Sequence, residues 1–276
     1  MKKITADLRG LSGDVQLVPL ADLHMGDPLS RAKLINQWIE RIRTTDGMYC
    51  VLAGDLMDTA TKTSIGDTYS AVLTPMEQLA QCVKIFQPLA DAGKILAVVG
   101  GNHEERISKT EGVDMTQILC NQLGIGDLYS PTSALLLIKT AASQIAGHRN
   151  SSVTYSVYIN HGNGGGKRPG SKINALQDYA LIVDADIYIV GHTHLPAAFK
   201  MSYFRLTGGN ARLIQAEKTF VNTASALAYG GYGDRKGFAP ASNSYPVIRL
   251  KELTQTQVEK FRKDSTNDIR KVEVTF

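Results

Sequence analysis

Cysteine is scarce in this chain of 276 residues: Cys50, Cys82 and Cys120 are odd in number, far apart and in no ligand-like spacing. That argues against a disulfide framework or a thiolate zinc site and makes a reducing, cytoplasmic interior the expected compartment. No run of about 18 apolar residues occurs, so no membrane-spanning helix is expected. Met1-Lys2-Lys3 has the charge of a secretory leader, but Asp7, Arg9 and Asp14 interrupt the apolar stretch such a leader needs. Neither sign of charge dominates: 30 lysines and arginines stand against 26 acids, and the net +4 is spread along the chain. Such a balance permits an anionic partner without requiring one. There is no internal repeat and no linker, and a chain that is 43% hydrophobic can bury a sizeable core, so one domain over residues 1–276 is expected.

What the sequence does contain is a succession of apolar runs that stop at polar residues. Residues 15–20 read as a first strand, and 31–43, with Leu34, Ile35, Trp38, Ile39 and Ile42 at helical spacing, as an amphipathic helix. A buried strand at 49–53, a helix at 74–90 stopped by Gly93 and a third strand at 94–99 continue the alternation that builds a parallel sheet. Beyond a polar segment at 59–70, already passed, and a helix at 114–122, strands are expected at 134–139 and 153–160, with a loose loop at 142–151 between them. A helix at 173–182 and a strand at 187–190 follow. The remainder reads as short strands at 200–206, 212–215 and 219–221 with a turn at 208–210. Closing strands at 245–253 and 270–276 flank a short polar helix.

The strand ends carry the chemistry. Asp22-Leu23-His24 follows the first strand, Gly54-Asp55-Leu56-Met57-Asp58 the second and Gly101-Asn102-His103-Glu104 the third; His161-Gly162 and Gly191-His192-Thr193-His194 follow two later ones. Open α/β sheets place ligands at this edge. Residues one apart on an extended segment point the same way, so Asp22 with His24, and His192 with His194, are expected to face a common ligand. Each block alone has a plain alternative: a Gly-Asp turn, a surface histidine, or a capping box of Asn102 with Glu105. Independent turns would rarely give all five in this order.

Together the five blocks, spanning residues 22–194, resemble the calcineurin-like metallophosphoesterase family. The resemblance implies an α/β fold, a four-layer α-β-β-α sandwich of two mixed sheets with helices outside, and two divalent metal ions at the sheet edge. It implies that Asp22, His24, Asp55 and His194 hold one ion and that Asp55, Asn102, His161 and His192 hold the other. His103 then acts as the catalytic acid, oriented by Asp58, while a hydroxide bridging the two ions attacks phosphorus in line. Nitrogen and oxygen donors without thiolates fit manganese, iron or zinc, and geometry alone does not choose among them; manganese is the expected ion.

Substrate choice divides the readings. Protein serine/threonine phosphatases of that family carry an arginine where this chain has Thr59, which turns the expectation toward the phosphodiesterase and nuclease branches. The glycine-rich segment 163–172 offers Lys167, Arg168 and Lys172 as substrate-phosphate ligands, without the spacing of a nucleotide P-loop. A second basic glycine-rich segment, 229–237, adds Arg235, Lys236 and tyrosines. A phosphate-ester partner, nucleotide or nucleic acid, is therefore expected. The alternatives are a phosphomonoesterase acting on a small molecule or phosphoprotein, and a non-catalytic nucleic-acid-binding subunit.

Overall fold

The strand ahead of Gly54 fixes the architecture, because both its faces are apolar. Met48, Cys50 and Leu52 enter one buried cluster and Tyr49, Val51 and Ala53 another. A strand buried on both sides must lie between two further layers. The computed structural model, which describes residues 1–61, 71–141, 152–206, 213–253, 257 and 270–276, supplies them. The elements run β1 (Lys2–Leu8), β2 (Val15–Leu20), α1 (Ala32–Thr44), β3 (Met48–Ala53), α2 (Pro75–Asp91), β4 (Ile95–Val99), α3 (Asn102–Glu111) and α4 (Met115–Gln122). They continue with β5 (Tyr129–Ser130), β6 (Ser133–Ala141), β7 (Ser152–Asn160), α5 (Pro169–Asp178), β8 (Ile187–Val190), β9 (Ala197–Leu206), β10 (Leu213–Asn222), α6 (Gly231–Arg235), β11 (Val247–Leu250) and β12 (Val272–Thr275).

Two mixed six-stranded sheets result, in the orders β1-β6-β7-β8-β10-β9 and β12-β11-β2-β3-β4-β5. Val15, Leu17, Val51, Leu136, Tyr155, Ile159 and Ile189 are among the side chains filling the space between the sheets. On the outer face of the second sheet, α1, α2 and α4 contribute Ile35, Ile39, Phe86 and Leu119. On the outer face of the first, Leu176 of α5 joins Tyr158, Tyr188 and Phe220. The expected four-layer α-β-β-α sandwich is the observed one. Thr74 caps α2 through a reciprocal capping box with Glu77, and Asp114 caps α4. All three cysteines are free and buried. Among the described residues no helix is long and apolar enough to cross a membrane.

Several boundaries differ from the sequence expectation. The first strand is β1, not the segment at 15–20. It is an edge strand paired only with β6, and with Ile4 as its one fully buried apolar residue its alternation is weak. The strands expected at 212–215 and 219–221 are one, β10, because Ala216 keeps the inward alternation running through Glu217 and Lys218. Helix α5 begins at Pro169, whose missing N–H suits the first helical turn, rather than at 173. The second glycine-rich segment contains the short helix α6. The loop at 142–151, the turn at 208–210, the polar helix before β12 and most of the segment at 59–70 lie outside the described residues.

Candidate metal centre

The five blocks meet at one edge of the sandwich, where β2, β3, β4, β7 and β8 end. The loops after β2 and β3 are zipped together: Asp22 N donates to Gly54 O, Leu23 and His24 N to Asp55 O, and Met25 N to Leu56 O. Asp58 N returns a bond to Met25 O at 2.9 Å. This pairing turns the chain sharply. Asp22, His24, Asp55, Thr59, His192 and His194 all have φ between +40° and +67°, and they are the non-glycine residues with positive φ among those described. Backbone of this kind is costly for a residue with a Cβ and concentrates at functional sites. It also corrects one expectation. Asp22 with His24, and His192 with His194, converge through left-handed turns, not through the alternation of an extended strand.

Three groups of donors form among the described residues, and two of them consist of residues expected to bind metal. In the first, His194 Nε2 lies 3.2 Å from Asp22 Oδ1 and 3.2 Å from His24 Nε2. In the second, His161 Nε2 lies 3.1 Å from Asp55 Oδ2 and 2.9 Å from Asn102 Oδ1, which is also 2.7 Å from His192 Nδ1. The ligand atoms of Asp22, His24 and His194 lie within 4.8 Å of one another, as do those of Asp55, His161 and His192. All seven residues expected to bind metal are therefore brought to one place. Asn102 opens α3 as its first helical residue behind Gly101, so the capping box with Glu105 is not made and the amide oxygen faces the histidines.

The close approach of these groups is what cations would explain. Nε2 atoms of two imidazoles face each other beside a fully buried carboxylate, and no lysine or arginine of the described residues pairs with Asp22 or Asp55. Burial opposes the charge of Asp55, but His161, His103 and His24 outweigh it and hold its carboxyl well below the usual range. His161 behaves inversely: burial pushes it down, yet Asp55 and Asp22 raise it to about 10. His24 is pushed well down by burial and then by the neighbouring histidines. A buried set of imidazoles and carboxylates with no lysine or arginine paired to it among the described residues fits metal binding through nitrogen and oxygen donors.

His103 belongs to a third group, with His24 and Asp58, whose ligand atoms also lie within 4.8 Å of one another. Its Nδ1 is 2.9 Å from Asp58 O and 3.1 Å from Asp58 Oδ1, which leaves Nε2 turned toward the centre, 3.7 Å from Asp55 Oδ2. Burial lowers its pKa, but the Asp58 hydrogen bond and the charge of Asp55 more than offset this and the net shift is upward. Thr59 Oγ1 donates to His103 O at 2.6 Å, so the residue at the phosphatase-arginine position supports the His103 backbone.

Four other supporting residues carry no strong sequence signal. Glu104, fully buried, accepts from Asp55 N at 3.2 Å and Met57 N at 2.8 Å; burial first, and the charge of Asp55 second, raise its pKa to about 7. Gln78 reaches from α2 to accept from Thr59 N and donate to Leu73 O. Asn222 Nδ2 donates to Thr193 Oγ1 and Leu195 O, steadying the turn between His192 and His194. Arg106, one helical turn beyond His103, donates to Asp58 O at 3.4 Å. The partners of Glu104, Asn222 and Arg106 lie 27 to 49 residues away in sequence, and only the spacing of Arg106 from His103 on one helix offers a local signal.

Of the three basic residues expected to hold substrate, Lys167 and Arg168 are exposed. Lys167 Nζ stands close to Gly237, so the two glycine-rich segments meet. Lys172 is placed differently: its half-buried Nζ donates to Thr193 O at 2.7 Å, behind the turn that carries both histidines.

No family model and no curated protein matches the sequence. Solved structures do. A conserved protein of Streptococcus pneumoniae, described as a predicted phosphoesterase, is 15% identical over 87% of this chain and 84% of its own, with a TM-score of 0.35. Wild-type Vps29 of Entamoeba histolytica, complexed with zinc, is 15% identical over 95% and 98%, with a TM-score of 0.34. The calcineurin-like phosphoesterase YfkN of Bacillus subtilis is 12% identical over 87% and 85%, with a TM-score of 0.38. These likenesses are loose, and the centre rests on its own geometry.

Proposed function

We propose that this chain is a metal-dependent phosphoesterase of the calcineurin-like kind, hydrolysing phosphate esters at a centre of two divalent ions. The observation that carries the reading is the convergence of Asp22, His24, Asp55, Asn102, His161, His192 and His194 on one sheet edge, with His103 and Asp58 beside them. Asp22, His24 and His194 would hold one ion, and Asn102, His161 and His192 the other, with Asp55 shared. Bound there, manganese, iron or zinc supplies Lewis acidity to phosphoryl oxygens and acidifies water.

The rest falls to the protein's own groups. Asp58 fixes the His103 ring so that Nδ1–H is committed and Nε2 carries the mobile proton. The upward shift, from the Asp58 hydrogen bond and the charge of Asp55, favours the protonated ring that would pass its proton to a leaving ester oxygen. Lys172 contacts the His192–His194 turn at Thr193 O, and Lys167 on the same glycine-rich segment approaches Gly237; this basic segment next to the centre favours a phosphodiester in a nucleotide or nucleic acid. Phosphomonoester hydrolysis is the competing reading.

The test is hydrolysis of bis-p-nitrophenyl phosphate and p-nitrophenyl phosphate with added manganese, run beside a metal titration. His103→Ala is expected to keep both ions and lose rate by roughly 10²–10⁴. Asp55→Asn is expected to lose metal. Equal metal loss in the two variants rejects the division of labour, and a higher rate on the monoester rejects the diester assignment.

A further inference from the structure

The two ring nitrogens of His24 have different surroundings. Nε2 faces the first donor set, 3.2 Å from His194 Nε2 and 3.9 Å from Asp22 Oδ1. Nδ1 is buried and has no hydrogen-bond partner among the described residues. An imidazole that gives its Nε2 lone pair to a cation carries its proton on Nδ1, and metal-ligating histidines donate that proton to a carboxylate, a carbonyl or water. His161 obeys the rule within this structure, since its Nδ1 lies 2.8 Å from Ala53 O. His24 does not yet do so.

The carboxylate facing His24 Nδ1 is that of Asp58, with Oδ1 at 3.9 Å. The same oxygen is 3.1 Å from His103 Nδ1, and the rings of His24 and His103 meet edge to face with centroids 4.4 Å apart. His103 holds a second acceptor, Asp58 O at 2.9 Å, so its Nδ1–H stays satisfied when the carboxylate turns to His24. A movement of about 1 Å brings Asp58 Oδ1 into hydrogen-bond range of His24 Nδ1.

We propose that Asp58 is a positioning residue for a metal ligand as well as for His103: its carboxylate accepts the Nδ1–H of His24 and holds that imidazole in the tautomer that presents Nε2 to the first ion. The proposal rests on the metal reading above and adds to it a residue that touches neither ion. Asp58 thereby couples occupancy of the first site to the orientation of His103.

The experiment is calorimetric titration of manganese into the metal-free wild type, Asp58→Ala, Asp58→Asn and His103→Ala, with thermal unfolding to confirm that each is folded. Two equivalents are expected in the wild type and in His103→Ala. Asp58→Ala is expected to lose about 10–100-fold in affinity at one site, and Asp58→Asn, which retains an acceptor oxygen, to recover most of that loss. In the zinc-loaded, ¹⁵N-histidine-labelled wild type, a slowly exchanging Nδ1–H that disappears in His24→Asn is the matching signature. It remains readable if Asp58→Ala fails to fold. Two tight equivalents in Asp58→Ala overturn this inference alone. Asparagine falling as far as alanine overturns it too, because the effect is then one of charge; a third equivalent in the wild type would make Nδ1 a ligand and also overturn it. A wild type that takes up no metal overturns both this inference and the phosphoesterase reading.

Discussion

Glu104 offers the sharpest test of how the centre is held open. Its carboxylate lies inside the protein and takes the backbone N–H groups of Asp55 and Met57, the residues on either side of Leu56 in the left-handed turn after β3. Glu104→Ala leaves two buried donors without acceptors, at about 1–3 kcal/mol each. Loss of the like charge beside Asp55 offsets part of this, so a net destabilisation of about 2–4 kcal/mol is expected. For a chain of this size that lowers the melting temperature by roughly 5–15 °C. Glu104→Gln keeps an acceptor for Met57 N and costs less. The two variants also separate by pH. In the metal-free fold the carboxyl is raised from its ordinary 4.5 to about 7, so the folded state holds the proton more tightly than the unfolded chain. That contribution is complete below about pH 4.5 and is lost as pH rises through 7. Glutamine does not titrate, so relative to wild type it should gain on the order of 3 kcal/mol between pH 4.5 and 8. Thermal unfolding followed by circular dichroism in chelator, at pH 5 and pH 8, reads both effects. An alanine variant melting within 2 °C of wild type, or a glutamine-to-wild-type difference that is the same at both pH values, refutes the reasoning.

Other expectations follow from single contacts. Lys172→Met keeps the apolar stem but removes the bond to Thr193 O, and should weaken manganese affinity by about tenfold; if KM for a phosphate ester rises while metal affinity is unchanged, Lys172 is a substrate ligand instead. A Cβ at Gly101 would overlap the Asp55 nitrogen and carboxylate and press on Glu104. Gly101→Ala should therefore cost about 1–3 kcal/mol and reduce metal uptake, with a wild-type titration counting against the packing argument. Phe220 lies stacked between Tyr188 and Phe199, with ring centroids 4.9 Å away on both sides. Phe220→Ala should lower stability by about 3–5 kcal/mol in denaturant unfolding while metal stoichiometry stays at the wild-type value.

The parts of the fold that were legible in the sequence are those where one strand or helix carries its own pattern. β3 and β8 are unbroken apolar runs, and α1 places Ile35, Ile39 and Ile42 on one side, so each announces itself locally. β1 does not, because an edge strand needs only one good face and Ile4 is its one fully buried apolar residue. β10 looked like two strands because Glu217 and Lys218 interrupt the apolar run while leaving the alternation intact. At the centre, residue types and spacing pick out the residues that converge there, since a cation would need such donors. The same spacing misleads about how they converge. Nothing in Asp-Leu-His states that both flanking residues will be left-handed, because that follows from pairing with Gly54 and Asp55 some thirty residues on. The contacts of Glu104, Asn222 and Lys172 are not legible for the same reason, because each acts on a backbone atom of a distant turn.

Those turns explain why so much of the surrounding structure is devoted to holding backbone. Left-handed conformation costs a residue with a Cβ roughly 1–2 kcal/mol, somewhat less for aspartate and histidine. Asp22, His24, Asp55, Thr59, His192 and His194 together store several kcal/mol, a large share of the net stability of an ordinary domain. Such strain persists only where neighbouring bonds leave the chain no alternative. The Asp22 carbonyl is held by Ala226 N and Ser225 Oγ, the Ala21 carbonyl by Tyr245 O–H, and Asp22 itself receives His192 N on both carboxylate oxygens. The strand order of the second sheet therefore has a chemical consequence: β2 lies between β11 and β3, so the loop that follows it is gripped from both sides. Donors fixed in this way need no rearrangement to receive a cation, and the cost of bringing them together has been met in folding rather than in binding.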